Sequence, residues 1–447
     1  MNIYTIFNTD ELHDLAQDRF KEERDTKRLD GWFRVKEIAR DCEEKYKFLP
    51  DALKSAEILR EIVKNMPVSI SEYAVFAGTQ NDSFARSYAL INPAFKVESF
   101  TGYCDPTAVF NDIEPNDEFT EERISDLREY ANNTPFVRKL NEAYEKVKDV
   151  TSEAVFFMEQ VTGHVIPDFK PVLAEGISSI RKKIAEKMNK TEDQDIRDYY
   201  QAMDVAMDAV LILAQRYAEC AADLRKDAVG KRKKVLELIE NTLRRVPKEG
   251  AQNLYEAIQA YILLWQVMCL EQAPNPFAFS VGNADRIFEP YRAKQGLSRE
   301  EAAALFKHFL VFFNVGDRSW AISQNIIVGG KSKDGKDLTN LTTYALLDAF
   351  YEMNLPQPIL SVKLHSNTPE ELYASLGRFF FTPGCLTPSL FNDDSLFKIL
   401  SKAGVKEDDL ENYSIAGCQE PLIMGKDNGN TTNSWLNLAK ILELTIQ

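Results

Sequence analysis

Apolar positions along the first two-thirds of the chain fall mostly at helical spacing. Residues 51–65 form a charged amphipathic stretch that stops at Met66-Pro67. Between residues 251 and 270, Leu254, Ala257, Ile258, Tyr261, Ile262, Trp265, Met268 and Cys269 recur at i, i+3 and i+4, which predicts a buried helix with Met268 and Cys269 as core residues. Ser298-Arg-Glu-Glu301 has the form of a capping box and predicts a helix that opens there and runs through Phe312. The last third changes character. Short apolar runs at 322–328, 359–364, 389–391 and 413–415 lie beside turn residues, among them Gly329-Gly330, Asn392-Asp-Asp394 and Gly417. Helical stretches at 339–354, 368–381 and 395–403 separate them, so parallel β/α units are expected. Residues 435–447 read as one more amphipathic helix, with Leu438, Ile441, Leu442 and Thr445 on one face. It ends with no Gly cap and no polar tail, and is expected to bury against something that follows.

Composition narrows the classes. Hydrophobic residues make up 44% of the 447, enough for a core, and 54 Lys+Arg against 69 Asp+Glu gives a net charge of −15. Nothing in that balance would neutralise phosphates, so neither nucleic acid nor an anionic membrane surface is expected as a partner. No apolar run reaches the ~18 residues of a spanning helix. The first twenty residues carry acids where a signal peptide would be basic and apolar, so a soluble cytoplasmic protein is expected. Six cysteines without a CxxC and four scattered histidines argue against zinc or iron–sulfur sites. Phosphate-loop, dinucleotide and Ser-hydrolase signatures are absent. The basic run Lys231-Arg-Lys-Lys234 with Arg244-Arg245 reads as a solvated helix face. Cys104 and Cys385 read as packing residues.

The clearest chemical signal is Ser414-Ile-Ala-Gly417-Cys418-Gln419-Glu420-Pro421. Gly417 permits a tight turn and Pro421 fixes the backbone beyond it. In an extended loop, residues i and i+2 point the same way, so the Cys418 thiol and the Glu420 carboxylate would face one substrate. That pairs a sulfur reactant with a proton donor or acceptor. No His adjoins Cys418 in sequence, so nothing local favours a thiolate nucleophile, and a thiol working without a base suits hydrogen-atom chemistry. Two plainer readings stand beside this one: a small core Cys next to a surface charge, and an ordinary Cys-dependent hydrolase, which predicts rapid alkylation in air.

Several stretches then follow in a specific order: Phe76-Ala-Gly-Thr-Gln80, Gly163-His164 with Ile166-Pro-Asp168, Val281-Gly282 through Glu289-Pro-Tyr291, Asn325-Ile-Ile-Val-Gly-Gly330, Leu355-Pro-Gln-Pro-Ile-Leu-Ser361, Pro388-Ser-Leu-Phe-Asn-Asp393, Gly417-Cys-Gln-Glu-Pro421 and Leu436-Asn-Leu-Ala-Lys-Ile-Leu-Glu-Leu444. Together they resemble the glycyl radical enzyme superfamily, the pyruvate formate-lyase-like proteins, over nearly the whole chain. The resemblance implies an α/β fold. A helix-rich N-terminal region would wrap the first part of a ten-stranded β/α barrel of two parallel half-barrels, with the second half absent. It implies one domain over 1–447, with 1–320 a mainly helical outer layer holding early barrel elements and 321–447 the barrel strands and cysteine loop. Cys418 matches the thiyl cysteine, Glu420 the carboxylate that handles a substrate proton, and His164 a substrate-side histidine. Asn325, Asn392 and Asp393 are expected to hold strand ends around the barrel mouth.

The resemblance further implies no bound cofactor or metal, but a glycyl radical stored in a C-terminal region. The Arg-Val-x-Gly motif of that region is absent here, so a fragment or one subunit of a split enzyme is expected, inactive without the other half. Implied partners are a small-molecule substrate, an iron–sulfur radical S-adenosylmethionine activating enzyme, the C-terminal half or a glycyl-domain subunit, and a second copy in a homodimer. Gln419 follows Cys418 where pyruvate formate-lyase has a second cysteine, and Glu420 is present. Elimination or decarboxylation is therefore favoured over formate C-acetyltransferase-like acyl transfer. Phe277-Ala278 stands where polyol dehydratases commonly carry His-Ser, and Thr431-Thr432 where they carry His-Asp. Hydroxyls buried there would lack partners, which disfavours polyols and favours a less hydroxylated or aromatic substrate. The competing reading is a non-catalytic truncated paralogue that binds another chain through its unfinished edge.

Overall fold

A computed structural model describes residues 1–25, 30–78, 117–135, 154–157, 164–272, 278–315, 324–355, 357–427 and 434–447, with isolated positions between 115 and 146. Its strands are β1 (Val155–Phe157), β2 (Gly282–Asn283), β3 (Asn325–Gly329), β4 (Ile359–Leu364), β5 (Ser389–Asn392), β6 (Tyr413–Ala416), β7 (Glu420–Ile423) and β8 (Ser434–Leu436). Among the described residues, β2, β3, β4 and β5 form a four-stranded sheet in that order, parallel throughout. The helices Leu341–Met353 and Glu370–Phe380 connect β3 to β4 and β4 to β5, the crossover that parallel pairing requires. This is a partial β/α barrel, as expected.

Period-two alternation decides which face meets which layer. Ile326 and Val328 of β3, and Leu360 and Val362 of β4, pack into the large core shared with the outer helices. The opposite face presents Asn325, Ile327, Ser361 and Lys363 to the barrel interior. There Ile327 packs with Tyr413, Ile415 and Ile423 of the β6–β7 pair.

The outer layer follows its sequence signals closely. The Asp51–Asn65 helix has the expected bounds and ends where Met66 turns extended. Gln194–Asp227, opened by Asp193 accepting from the Ile196 N–H at 3.2 Å, packs against it. Leu254–Gln272 is the buried helix predicted from spacing. Tyr261 meets Phe309, and Trp265 meets Phe312 and Phe313, edge-on at 5.0–5.5 Å, a geometry that aromatic quadrupoles prefer. The capping box is present: Glu301 N–H donates to Ser298 Oγ, and Ser298 N–H donates to Glu301 Oε2 at 2.8 Å.

Three expectations change. Residues 413–416 do not form a further parallel strand. They pair antiparallel with 420–423 as a hairpin, because Gly417 at φ +58° reverses the chain. Residues 434–436 pair antiparallel with β1, so the terminal helix starts later, at Leu438, capped by Asn437 Oδ1 accepting from Lys440 N–H at 3.0 Å. Within the basic run, Arg232 is not solvated. It donates to the Ala74 and Ser71 carbonyls at 2.7 Å, and burial lowers its pKa, while Lys231, Lys233 and Lys234 are exposed. Cys104 and Phe277 lie outside the described residues. Cys385 is half-buried and donates its S–H to the Thr387 carbonyl at 3.3 Å.

Candidate functional site

The β6–β7 hairpin packs against the sheet face that carries Ile327, with β6 beside β2 and β3. Its root sits at the C-terminal ends of β2 and β4, where Lys363 Nζ donates to the Tyr413 carbonyl and, at 2.7 Å, to Asn283 Oδ1. The ammonium also lies 3.9 Å from the Tyr413 ring centroid, and the Tyr413 hydroxyl bonds Asp393. Burial pulls the Lys363 pKa well below the lysine range. Arg286 reinforces that shift and Asp393 opposes it. Asp393 therefore does hold a strand end, through Tyr413 and the Lys331 N–H at 2.9 Å.

The hairpin tip, Gly417-Cys418-Gln419, reaches the N-terminal end of β3. There Asn325 Nδ2 donates to the Gly417 carbonyl at 3.0 Å and to Ser361 Oγ at 2.9 Å. Gly417 has no room for a side chain. A Cβ would lie 2.7 Å from His164 Nε2 and 2.8 Å from Glu420 Oε2. Cys418 therefore stands in a tight turn and not in the extended loop that the sequence predicts. Cys418 is exposed, and not enclosed at a dry barrel centre as thiyl chemistry at this position would lead one to expect, because the described residues form only part of a barrel. Glu420, the first residue of β7, folds its carboxylate back over the turn, with Oε2 accepting from Gln419 N–H at 3.1 Å. Glu420 Oε1 lies 3.9 Å from His164 Nε2, a charge contact too long for a direct hydrogen bond.

His164 is fastened on two sides. Val165 N–H donates to the Ala278 carbonyl at 3.2 Å, Ser280 N–H returns a bond to the Val165 carbonyl at 2.9 Å, and Gly425 N–H donates to the Ile166 carbonyl at 2.8 Å. Trp265 Nε1 donates to the Phe279 carbonyl at 2.9 Å and so ties the segment to the helical layer. His164 at φ +50° and Ala278 at φ +58° are both in the left-handed region, and they face each other across this bridge. Two L-residues so held store backbone strain of about 1–3 kcal/mol each, which a surrounding scaffold must offset. His164 is buried. That burial lowers its pKa, and Glu420 opposes the shift.

Of the residues singled out from sequence, the fold gathers His164, Ala278, Cys418 and Glu420. Phe277, Thr431 and Thr432 lie outside the described residues. Sequence reasoning missed Ser280, Ser361, Lys363 and Asn283, the polar groups under the hairpin. The alternation Leu360-Ser361-Val362-Lys363 carries that signal, since polar residues on the inner face of a barrel strand need a reason to be there. An apolar cleft of ≈ 550 Å³ lies elsewhere, among the outer helices around Leu59, Met203, Met207 and Met268, and contains none of these residues. No described helix is long and apolar enough to cross a membrane, and no described cluster of His, Cys, Asp and Glu could hold a metal ion.

A parallel partial barrel that holds a cysteine-tipped hairpin against its inner face, with a carboxylate and a buried imidazole at the tip, defines an α/β enzyme fold of the barrel-with-inner-loop kind. The family model "Pyruvate formate lyase-like" matches residues 8–447, and the chain belongs to that family, within the glycyl radical enzyme superfamily. It is 25% identical over 308 residues to isethionate sulfite-lyase of Desulfovibrio desulfuricans, which covers 63% of this chain and 36% of the relative. It is 28% identical over 314 residues to trans-4-hydroxy-L-proline dehydratase of Clostridioides difficile, 65% of this chain and 39% of the relative. The glycerol-bound B12-independent glycerol dehydratase of Clostridium butyricum superposes with a TM-score of 0.82 at 23% identity, covering 98% of this chain and 57% of that one. A glycyl radical enzyme from Archaeoglobus fulgidus superposes with a TM-score of 0.79 at 20% identity and 97% and 58% coverage. The matches thus span little more than a third of the first relatives and just over half of the solved chains. Three of the four proteins named are a sulfite-lyase and two dehydratases.

Proposed function

We propose that this chain is the cysteine-bearing part of a glycyl radical lyase acting on a small organic substrate. The observation that carries the reading is the hairpin tip itself: Cys418 exposed in the turn, with the Glu420 carboxylate folded over the same turn and His164 buried beside it. An exposed sulfur there fits a second loop approaching from the open side. The glycyl radical of that loop, when present, supplies the one-electron oxidation that makes Cys418 a thiyl radical.

Cys418 then takes a hydrogen atom from a substrate C–H, which forms S–H and leaves an unpaired electron on carbon. Glu420 moves a proton between the substrate and its departing group, and the C–X bond breaks by elimination or decarboxylation. The product radical recovers a hydrogen atom from the Cys418 S–H, so atoms and electrons balance over the cycle. His164, 3.9 Å from Glu420, exchanges a proton with it through a bridging molecule or substrate hydroxyl. Ala278 offers no side-chain hydrogen bond, which supports a substrate with few hydroxyls. Phe277, Thr431 and Thr432 are proposed to line the same pocket.

The reading requires the C-terminal half or a glycyl-domain subunit, and a radical S-adenosylmethionine activating enzyme. The exposed faces of the terminal helix and β5 are proposed to close against that half. A homodimer in the cytoplasm remains part of the proposal. The test is anaerobic reconstitution with both partners and candidate substrates. Turnover is expected for the native chain, none for Cys418→Ser, and a loss of ~10²-fold or more for Glu420→Gln. Full turnover by the serine variant would remove the reading. Association with the second half but no turnover on any substrate would favour a purely structural subunit.

A further inference from the structure

Asn325 is fully buried at the start of β3, and its backbone is fixed on both sides. Its N–H donates to Ser280 Oγ at 3.1 Å, and its carbonyl accepts from Val281 N–H at 3.0 Å. From this anchored position the side chain crosses to the hairpin tip and donates to the Gly417 carbonyl. A carbonyl only accepts, so the amide must turn its NH₂ toward Gly417. Its other end, Oδ1, has no hydrogen-bond partner among the described residues, so the Gly417 carbonyl and Ser361 Oγ are what orient it. The Gly417 carbonyl belongs to the planar peptide unit that also contains the Cys418 N and Cα. Fixing that carbonyl therefore fixes the N–Cα bond of Cys418 and leaves φ as the one backbone rotation that places its side chain. Gly417 itself imposes little, since glycine tolerates either peptide orientation.

We propose that Asn325 is a positioning residue that aims the Cys418 sulfur by gripping the peptide bond before it. The kinetic part of this inference rests on the proposed thiyl chemistry, and the structural part does not. Hydrogen-atom transfer demands close approach along one line, and a misplacement of about 1 Å costs on the order of 10²-fold.

Two measurements test it. Labelling glycine at the carbonyl carbon with ¹³C and cysteine with ¹⁵N leaves only two linked amide signals, Gly384–Cys385 and Gly417–Cys418. In Asn325→Asp and Asn325→Ala the Gly417 carbonyl should shift upfield while Gly384 stays in place. Ser361→Ala removes one of the two groups that orient the amide and should move the Gly417 signal in the same direction by less than either Asn325 variant. Should the alanine variant not fold, the aspartate variant, of nearly equal volume, carries the test. In the reconstituted enzyme, kcat should fall ~10²-fold with KM and the glycyl radical signal unchanged. A Gly417 carbonyl that does not move, or a kcat equal to that of the native chain, overturns the proposal. A native chain that never turns over counts against the proposed reaction, and the carbonyl shift still decides the hydrogen bond.

Discussion

At the scale of single residues, the turn at 417–419 is the most constrained point of the molecule. Gly417 needs a positive φ and touches His164 and Glu420 where a methyl group would go. Gly417→Ala should cost about 1–3 kcal/mol in strain alone and displace one of the two side chains. Calorimetry on the chain should show the lower melting temperature, and reconstituted turnover should be lost. A second residue-scale prediction concerns pH. His308 is fully buried beside the Leu12 carbonyl, and burial pushes its pKa down to about 3. The unfolded chain takes up that proton near 6.5, so acid favours unfolding. Stability should be fully present above pH 6.5 and decline as the pH falls toward 3. His308→Gln, followed by melting temperature against pH, should flatten this acid limb. His164, also lowered by burial, contributes with the same sign.

Among elements, the hairpin and the terminal helix behave oppositely. The hairpin is held at its root by Lys363, along its length by Ile327, Ile415 and Ile423, and at its tip by Asn325. Ile327→Ala opens a gap between sheet and hairpin and should cost about 2–5 kcal/mol. Hydrogen exchange should rise over residues 413–423 more than in the outer helices. The Leu438–Ile446 helix buries none of its side chains, and Leu438, Leu442 and Ile446 are each more than 60% exposed. Leu438→Glu with Leu442→Glu should leave the melting temperature of the chain unchanged, because nothing buried is lost. The same pair should abolish association with the C-terminal half, as read by sizing chromatography. Retained association would show that the half docks elsewhere.

For the whole molecule, exposed apolar groups cluster where the barrel is open. Leu386, Leu390, Phe380 and Phe381 lie around edge strand β5, and Leu436 lies beside the terminal helix. An open parallel edge flanked by such residues invites association. The chain by itself should self-associate in light scattering, and the C-terminal half should both disperse it and raise its melting temperature by binding only the folded form. A monodisperse, cooperatively melting monomer would contradict this.

Local sequence determined a good deal. Helix faces, the capping box at Ser298 and the strand runs at 325–329 and 359–364 were legible because they depend on spacing between near neighbours. Residue type and separation marked Cys418 and Glu420 as a candidate pair, and the family resemblance supplied their expected roles. Tertiary structure decided how they meet. A glycine signals a turn but not whether the chain returns as a hairpin, so 413–416 read as one more parallel strand. Ser361 and Lys363 lie 36 and 38 residues beyond Asn325 along the chain, and only strand register brings all three under the hairpin. His164 meets Glu420 across 256 residues for the same reason. Side-chain periodicity is a property of one element. A site is a property of several, and their relative placement is set by the packing of the whole core.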